Sequence, residues 1–175
     1  MKKAFTMIEL IFVIVILGIL AAVAIPKLNA TRDDAELAKA NTNLTTLMSD
    51  IHSYYTSKGD IPASGFNLQS LTGVELWNNK TTPAQPINAA WFPVKDVKLC
   101  LFVEVKKNTK QENYIALHRG ASADVTGTIC EKFLDQAEAS GIVGQGYSDS
   151  NFTTPKNTLD TSNTFLRLGG SGVLW

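Results

Sequence analysis

Histidine and cysteine are scarce in this chain, two of each among 175 residues. His52 and His118 stand at no ligand spacing from each other or from Cys100 and Cys130, so neither a zincin-type helix nor a two-thiol metal site with histidine partners has a basis in the sequence. Net charge is also lacking. Sixteen basic residues meet sixteen acidic ones, so the chain as a whole is no electrostatic platform for nucleic acid. No phosphate-binding glycine loop occurs, and Gly169-Gly170-Ser171-Gly172 lacks the closing glycine of a nucleophile elbow. Glu138, Asp149 and Asp160 are scattered rather than paired. Enzymatic chemistry therefore has no motif to rest on.

Long apolar runs are absent as well, with one exception. Residues 5–25 make 21 positions broken only by Thr6 and Glu9, which as a helix would span about 31 Å, close to the hydrocarbon thickness of a bilayer. Lys2 and Lys3 precede the run with no acidic neighbour, so the positive-inside bias keeps the N-terminus cytoplasmic and sends the chain beyond Ile25 across the membrane. A secretory signal peptide has the same layout, with Ala22-Val23-Ala24 as its cleavage site. Glu9 argues against it. A carboxylate at bilayer depth costs about 2.5 to 3.5 kcal/mol, and a signal peptide gains nothing from that charge. No cysteine lies near the segment, which disfavours a lipoprotein.

Ala4-Phe5-Thr6-Met7-Ile8-Glu9-Leu10, the apolar run after it, Gly18 and Pro26 together resemble the class III leader and N-terminal helix of the type IV pilin and type II secretion pseudopilin superfamily. The resemblance is close over about the first 30 residues and looser to Lys58. It implies that a prepilin peptidase cleaves between Ala4 and Phe5 on the cytoplasmic side and methylates the new amine of Phe5. The family usually has Gly before the cut, where this chain has Ala4, the next smallest side chain. It also implies that Glu9 neutralises the cationic terminus of its own or a neighbouring subunit, so that two charges costly to bury alone meet during assembly and set the axial register. At Gly18 and Pro26 the family's helix bends when packed in a filament. Structural roles suffice for both, since glycine is common in membrane helices and proline removes one backbone donor.

Beyond Pro26 the pattern is that of an amphipathic helix. Leu37, Ala40, Leu44, Leu47, Met48, Ile51, Tyr54 and Tyr55 recur at three- and four-residue spacing, and Lys58-Gly59 makes a plausible stop. The stripe persists too briefly for a coiled-coil seam and needs a head domain to pack on. Residues 60–88 are loop-like, rich in proline and glycine. Strands are expected at 97–105 and 114–118, joined by a polar turn at 106–113, with a short helix at 130–140 and a last strand at 164–168 that residues 169–172 break. The expected fold is α+β, a long N-terminal helix against a small antiparallel sheet, with a leader at 1–4, a membrane and assembly helix at 5–26, an amphipathic helix at 27–59 and a periplasmic head at 60–175.

In a head exported to an oxidising compartment, Cys100 and Cys130 most simply form one disulfide. Cleavage after Ala4 removes Lys2 and Lys3, leaving 14 basic residues against 16 acidic. Lys106, Lys107 and Lys110, with Lys95 and Lys98 upstream, are the candidate DNA contacts on a filament, although basic hairpin tips commonly serve only solvation and edge protection. Some secretion pseudopilins hold calcium in an acidic C-terminal loop. Here Asp149 and Asp160 are the only carboxylates on offer for it, and backbone carbonyls would have to complete the site. Asp149-Ser150-Asn151-Phe152-Thr153 fits the extended bacterial N-glycosylation pattern at Asn151, for which a chance loop sequence is the simpler account.

The resemblance implies a non-enzymatic subunit that polymerises with copies of itself or with other pilins and pseudopilins, on an inner-membrane assembly platform, for type II secretion or competence DNA uptake. The cargo would be exported protein or DNA. An adhesion or motility pilus subunit and a monomeric periplasmic binding module, anchored or released at Ala24, are the alternatives.

Overall fold

The computed structural model describes residues 6–62, 67–77, 88–121, 125–141, 146–154, 156, 158–160 and 162–168. The leader with Ala4 and Phe5, residues 63–66 and 78–87 of the loop-like stretch, and the break expected at 169–172 lie outside them. The elements are α1 (Met7–Lys58), a short 3-10 turn (Leu68–Ser70), β1 (Ala89–Val94), β2 (Val97–Lys107), β3 (Asn113–Arg119), α2 (Ile129–Ala139) and β4 (Thr164–Arg167). The chain divides into two compact units, Met1–Glu36 and Leu37–Trp175.

The second unit is an α+β head. Its strands form one antiparallel sheet in chain order, β1-β2-β3-β4. Of the stripe read from the sequence, Leu37, Ala40, Leu44, Leu47, Met48 and Ile51 are buried and join one core with the sheet and α2, while Tyr54 and Tyr55 pack against that core only partly buried. On the sheet's inner face the register aligns Ala90 with Val103 and Leu117, and Val105 with Ile115 and Leu166. Fully burying a Val, Leu or Ile of this set contributes about 1.5 to 3 kcal/mol. Phe92 of β1 stacks on Phe133 of α2, ring centroids 5.5 Å apart, so the short helix is fixed against the sheet by its two largest buried rings.

Helix α1 stops as its sequence directs. Gly59 takes a φ of +73°, and its amide donates to the carbonyl of Tyr55 at 2.7 Å, satisfying one of the last-turn acceptors. Helix α2 is followed at Gly141 by the same left-handed backbone, φ +78°.

The sequence reading missed β1. Pro93 lies inside it, and a proline within a run argues against a strand. The fold accommodates it in two ways. Among the described residues β1 is the terminal strand of the sheet, flanked by an isolated bridge from Trp77 to Trp91, and its pairing with β2 shifts register between Phe92 and Val94, beside Pro93. The missing amide thus falls where the ladder is already interrupted. A two-residue turn, Lys95-Asp96, then leads directly into β2, with Lys95 at φ 53°. The other strands are one or two residues longer or shorter than expected, β2 running on to Lys107.

Candidate functional site

In the first unit α1 exposes its large apolar side chains from Met7 to Leu28, among them Leu10, Phe12, Ile16, Leu20 and Ile25. The helix is long and apolar enough to cross a membrane. Such a continuous apolar surface is unstable in water and requires lipid or protein to cover it.

Glu9 lies in the first turn of α1, where the positive end of the helix dipole favours a carboxylate. Its Oε2 accepts from the backbone N–H of Thr6 at 3.4 Å and from the Thr6 hydroxyl at 3.2 Å. These contacts are the Glu half of a capping box. The sequence reading overlooked Thr6, although Thr-x-x-Glu before an apolar run is the signature that could have found it. Helix geometry continues on both sides of Pro26, whose missing amide leaves the carbonyl of Ala22 without its intrahelical donor. A Cβ built on Gly18 meets nothing within 4 Å, so no contact among the described residues requires a glycine there.

In the head, Cys100 on β2 and Cys130 on α2 are joined as a disulfide, Cα atoms 5.7 Å apart and both residues fully buried. The bridge ties the helix to a central strand across a separation of 30 residues.

Two of the three hairpin lysines are engaged with carboxylates. Lys106 Nζ lies 2.8 Å from Glu104, and Lys107 Nζ lies 2.7 Å from Asp60. Asp60 also accepts from the Asn113 side-chain amide at 3.0 Å, so the residue two past the end of α1 is tied to the β2–β3 hairpin. Lys107 and then Asn113 hold the Asp60 carboxyl below the usual carboxylate range. The turn itself is organised by Asn108, whose Oδ1 accepts from the amides of Lys110 and Glu112 at 2.9 Å and whose amide donates to Glu112 and to the carbonyl of Ser150. The positive potential expected of the cluster is largely neutralised, leaving Lys110 exposed at the tip.

Asp149 and Asp160 each close a turn of their own. Asp149 accepts from the amides of Asn151, Thr153 and Thr154 and from the Thr153 hydroxyl at 2.8 Å. Asp160 accepts from Lys156 Nζ at 2.8 Å and from the amide and hydroxyl of Ser162, and the Lys156 ammonium followed by Ser162 brings its carboxyl down to about 2. Glu138 accepts from the amide of Leu159 at 2.5 Å. Both oxygens of Asp149 are thus engaged by backbone amides and the Thr153 hydroxyl, and Oδ1 of Asp160 by Lys156 and Ser162. Among the described residues no three His, Cys, Asp or Glu side chains converge to hold a metal, so calcium has no support here.

The sheet's outer face carries a row of rings in register across three strands, Trp91, Phe102 and His118. Phe102 stacks on His118 at 4.6 Å, and Trp91 meets both edge-on at 5.1 and 5.5 Å. Lys98 Nζ lies 5.7 Å from the centre of the neighbouring Trp77 ring.

Comparison with known proteins places these features. The family model of the prokaryotic N-terminal methylation motif matches residues 1–25. Type II secretion system core protein G of Klebsiella michiganensis is 30% identical over 92 residues, covering 53% of this chain and 59% of that protein. Its counterpart in Dickeya chrysanthemi is 31% identical over 87 residues, 50% of this chain and 54% of the relative, and that of Escherichia coli K12 is 30% identical over 70 residues, 40% and 48%. The chain spans about half the length of the curated relatives it matches. No solved structure matches. An exposed apolar helix with one carboxylate in its first turn, inside the matched motif and joined in sequence to an α+β head, agrees with these likenesses: the chain carries the prokaryotic N-terminal methylation motif and is similar, over about half its length, to type II secretion system core protein G.

Proposed function

We propose that this chain is a structural subunit of a type IV pilus-like filament, a pseudopilin of a type II secretion or competence machine. In this reading a prepilin peptidase cuts between Ala4 and Phe5 and methylates Phe5. Residues 5–26 hold the subunit in the inner membrane, and an assembly platform then extracts it into the filament. The head lies on the periplasmic side, the partners are copies of this chain or other pseudopilins, and the moving filament displaces exported protein or DNA. The work is mechanical rather than catalytic.

One observation carries the reading: a single carboxylate at the start of an otherwise unbroken, exposed apolar helix. A plain anchor would discard that charge, whereas a subunit that passes from lipid into a helix bundle uses it to meet a neighbour's cationic terminus. The relatives named as secretion core proteins favour the secretion machine. Pairing of Lys106 and Lys107 with carboxylates disfavours the hairpin as a DNA contact.

Mass spectrometry of the N-terminus from the native membrane fraction tests the processing. A chain starting at methylated Phe5 supports the proposal. A chain starting at Ile25 has lost Glu9 and refutes it in favour of a released periplasmic module.

A further inference from the structure

We propose that Asn151 is an N-glycosylation site whose acceptor sequence is closed by folding, so that the glycan must be added before the loop forms or while it is locally open. The proposal rests on the export of the head under the proposed function, because the donor, a polyprenyl-diphosphate-linked oligosaccharide, is used on the far side of the membrane.

The acceptor pattern is complete, with an acidic residue two before the asparagine, a hydroxyl residue two after it, and no proline between: Asp149-Ser150-Asn151-Phe152-Thr153. All five residues lie among those described, and Asn151 is exposed on the turn. Among the described residues its side-chain oxygen accepts a long bond from the Thr109 hydroxyl, 3.3 Å, and that partner is itself exposed, so a glycan on Nδ2 would extend from the end of the head without displacing core.

The two recognition groups of the pattern, however, are bonded to each other. The Asp149 carboxylate accepts both the amide and the hydroxyl of Thr153, the latter at 2.8 Å, as well as the amide of Asn151. An enzyme that must engage the acidic side chain and the threonine hydroxyl separately finds each already occupied by the other. Phe152 holds the turn shut. It adopts φ 59°, a left-handed conformation costly for an aromatic residue, and is kept there by its ring against Tyr147, Tyr114 and the Arg167 guanidinium. The clasp is therefore tied to the sheet through β3 and β4 and opens when that packing is undone.

The transfer balances simply. Asn151 Nδ2 bonds to the anomeric carbon of the donor sugar, the bond from that carbon to the diphosphate oxygen breaks, the amide proton passes to a base of the transferase, and the polyprenyl diphosphate leaves. No oxidant or reductant is involved.

The test uses the full chain, carrying a flexible acidic acceptor sequence appended after Trp175, in cells that hold an acidic-sequon-dependent bacterial oligosaccharyltransferase and its lipid-linked donor. Intact-mass measurement distinguishes one glycan from two. Two glycans on the parent chain, with one lost in Asn151→Gln and in Thr153→Ala, support the site. One glycan, at the appended sequence only, overturns it while leaving export intact. A chain bare at both positions overturns the export reading and the site with it. Closure by folding has its own readout: with purified transferase and donor, heat-opened or Phe152→Ala chain should be modified at least tenfold faster than the folded parent. Equal rates would overturn that half of the proposal.

Discussion

Replacing both Cys100 and Cys130 by alanine removes the bridge between β2 and α2 together with the packing of two buried sulfurs, so the loss of the bridge sets a lower bound on the cost. The residues are fully buried and 30 apart in sequence. In the chain-entropy account, closing a loop of that length withdraws about 12 cal/mol/K from the unfolded ensemble, worth about 3.6 kcal/mol at 25 °C. A unit running from Leu37 to Trp175 has an unfolding entropy on the order of 0.3 kcal/mol/K at about 2.1 cal/mol/K per residue. The double substitution should therefore lower the head's Tm by about 12 °C. The measurement is a reversible thermal scan of the detergent-solubilised chain, monitored by the near-ultraviolet dichroism of its tryptophans. Because burial screens the sulfurs from solvent, a reductant added without denaturant should leave the parent Tm unmoved at first. A fall smaller than about 3 °C in the double variant would refute the claim that this bridge constrains the unfolded head.

Further outcomes rest on the same structure. Phe133→Ala removes the ring stacked on Phe92 and should cost about 3 to 5 kcal/mol in urea unfolding; a cost below 1 kcal/mol would mean that α2 is not held by that pair. Gly120→Ala places a Cβ 1.9 Å from the carbonyl oxygen of Leu99, in backbone that cannot yield cheaply, and should cost about 3 kcal/mol or more by the same assay; a neutral outcome would contradict the packing of the β3 exit against β2. Glu9→Gln should abolish incorporation into sheared filaments with the head's Tm unchanged, and normal incorporation would remove Glu9 from the assembly step. Asp160, Asp149 and Asp60 all have folded-state carboxyls depressed below their ordinary value of 3.8, Asp160 to about 2, so their stabilisation is complete above pH 3.8 and lost as pH falls through the folded values. Head Tm should be flat above pH 5 and decline between about pH 4 and 2, less steeply in Asp160→Asn; equal slopes would mean that the Lys156 contact does nothing.

The helical part of this protein was legible because its signals are local. The apolar run, Glu9, the stripe from Leu37 to Ile51 and the Lys58-Gly59 stop each come from a repeat or a charge within a few residues. The disulfide was legible from two cysteines and the expectation that the head is exported. Strand β1 was not legible, because Pro93 vetoes a strand by every local rule and only the terminal place in the sheet, with its register shift, lifts the veto. The Thr6 contact was not legible for another reason: the carboxylate of Glu9 has a second, proposed use, neutralising the terminus of its own or a neighbouring subunit, that the sequence signals more strongly than a cap.

Sequence alone determined which segment is long and apolar enough to cross a membrane and which charge it carries, since apolar length and one carboxylate depend on no distant partner. Tertiary structure decided what the head's charges do. Asp60 lies 47 residues from Lys107 and Glu112 lies 55 from Arg167, yet these side chains meet, because the β2–β3 hairpin returns to the end of α1 and β4 pairs with β3. A cluster that reads in one dimension as an open basic patch is folded into pairs, and a loop that reads as an acceptor sequence is folded into a clasp. Pairing across such separations is set by the sheet's register, which no local pattern of residues carries.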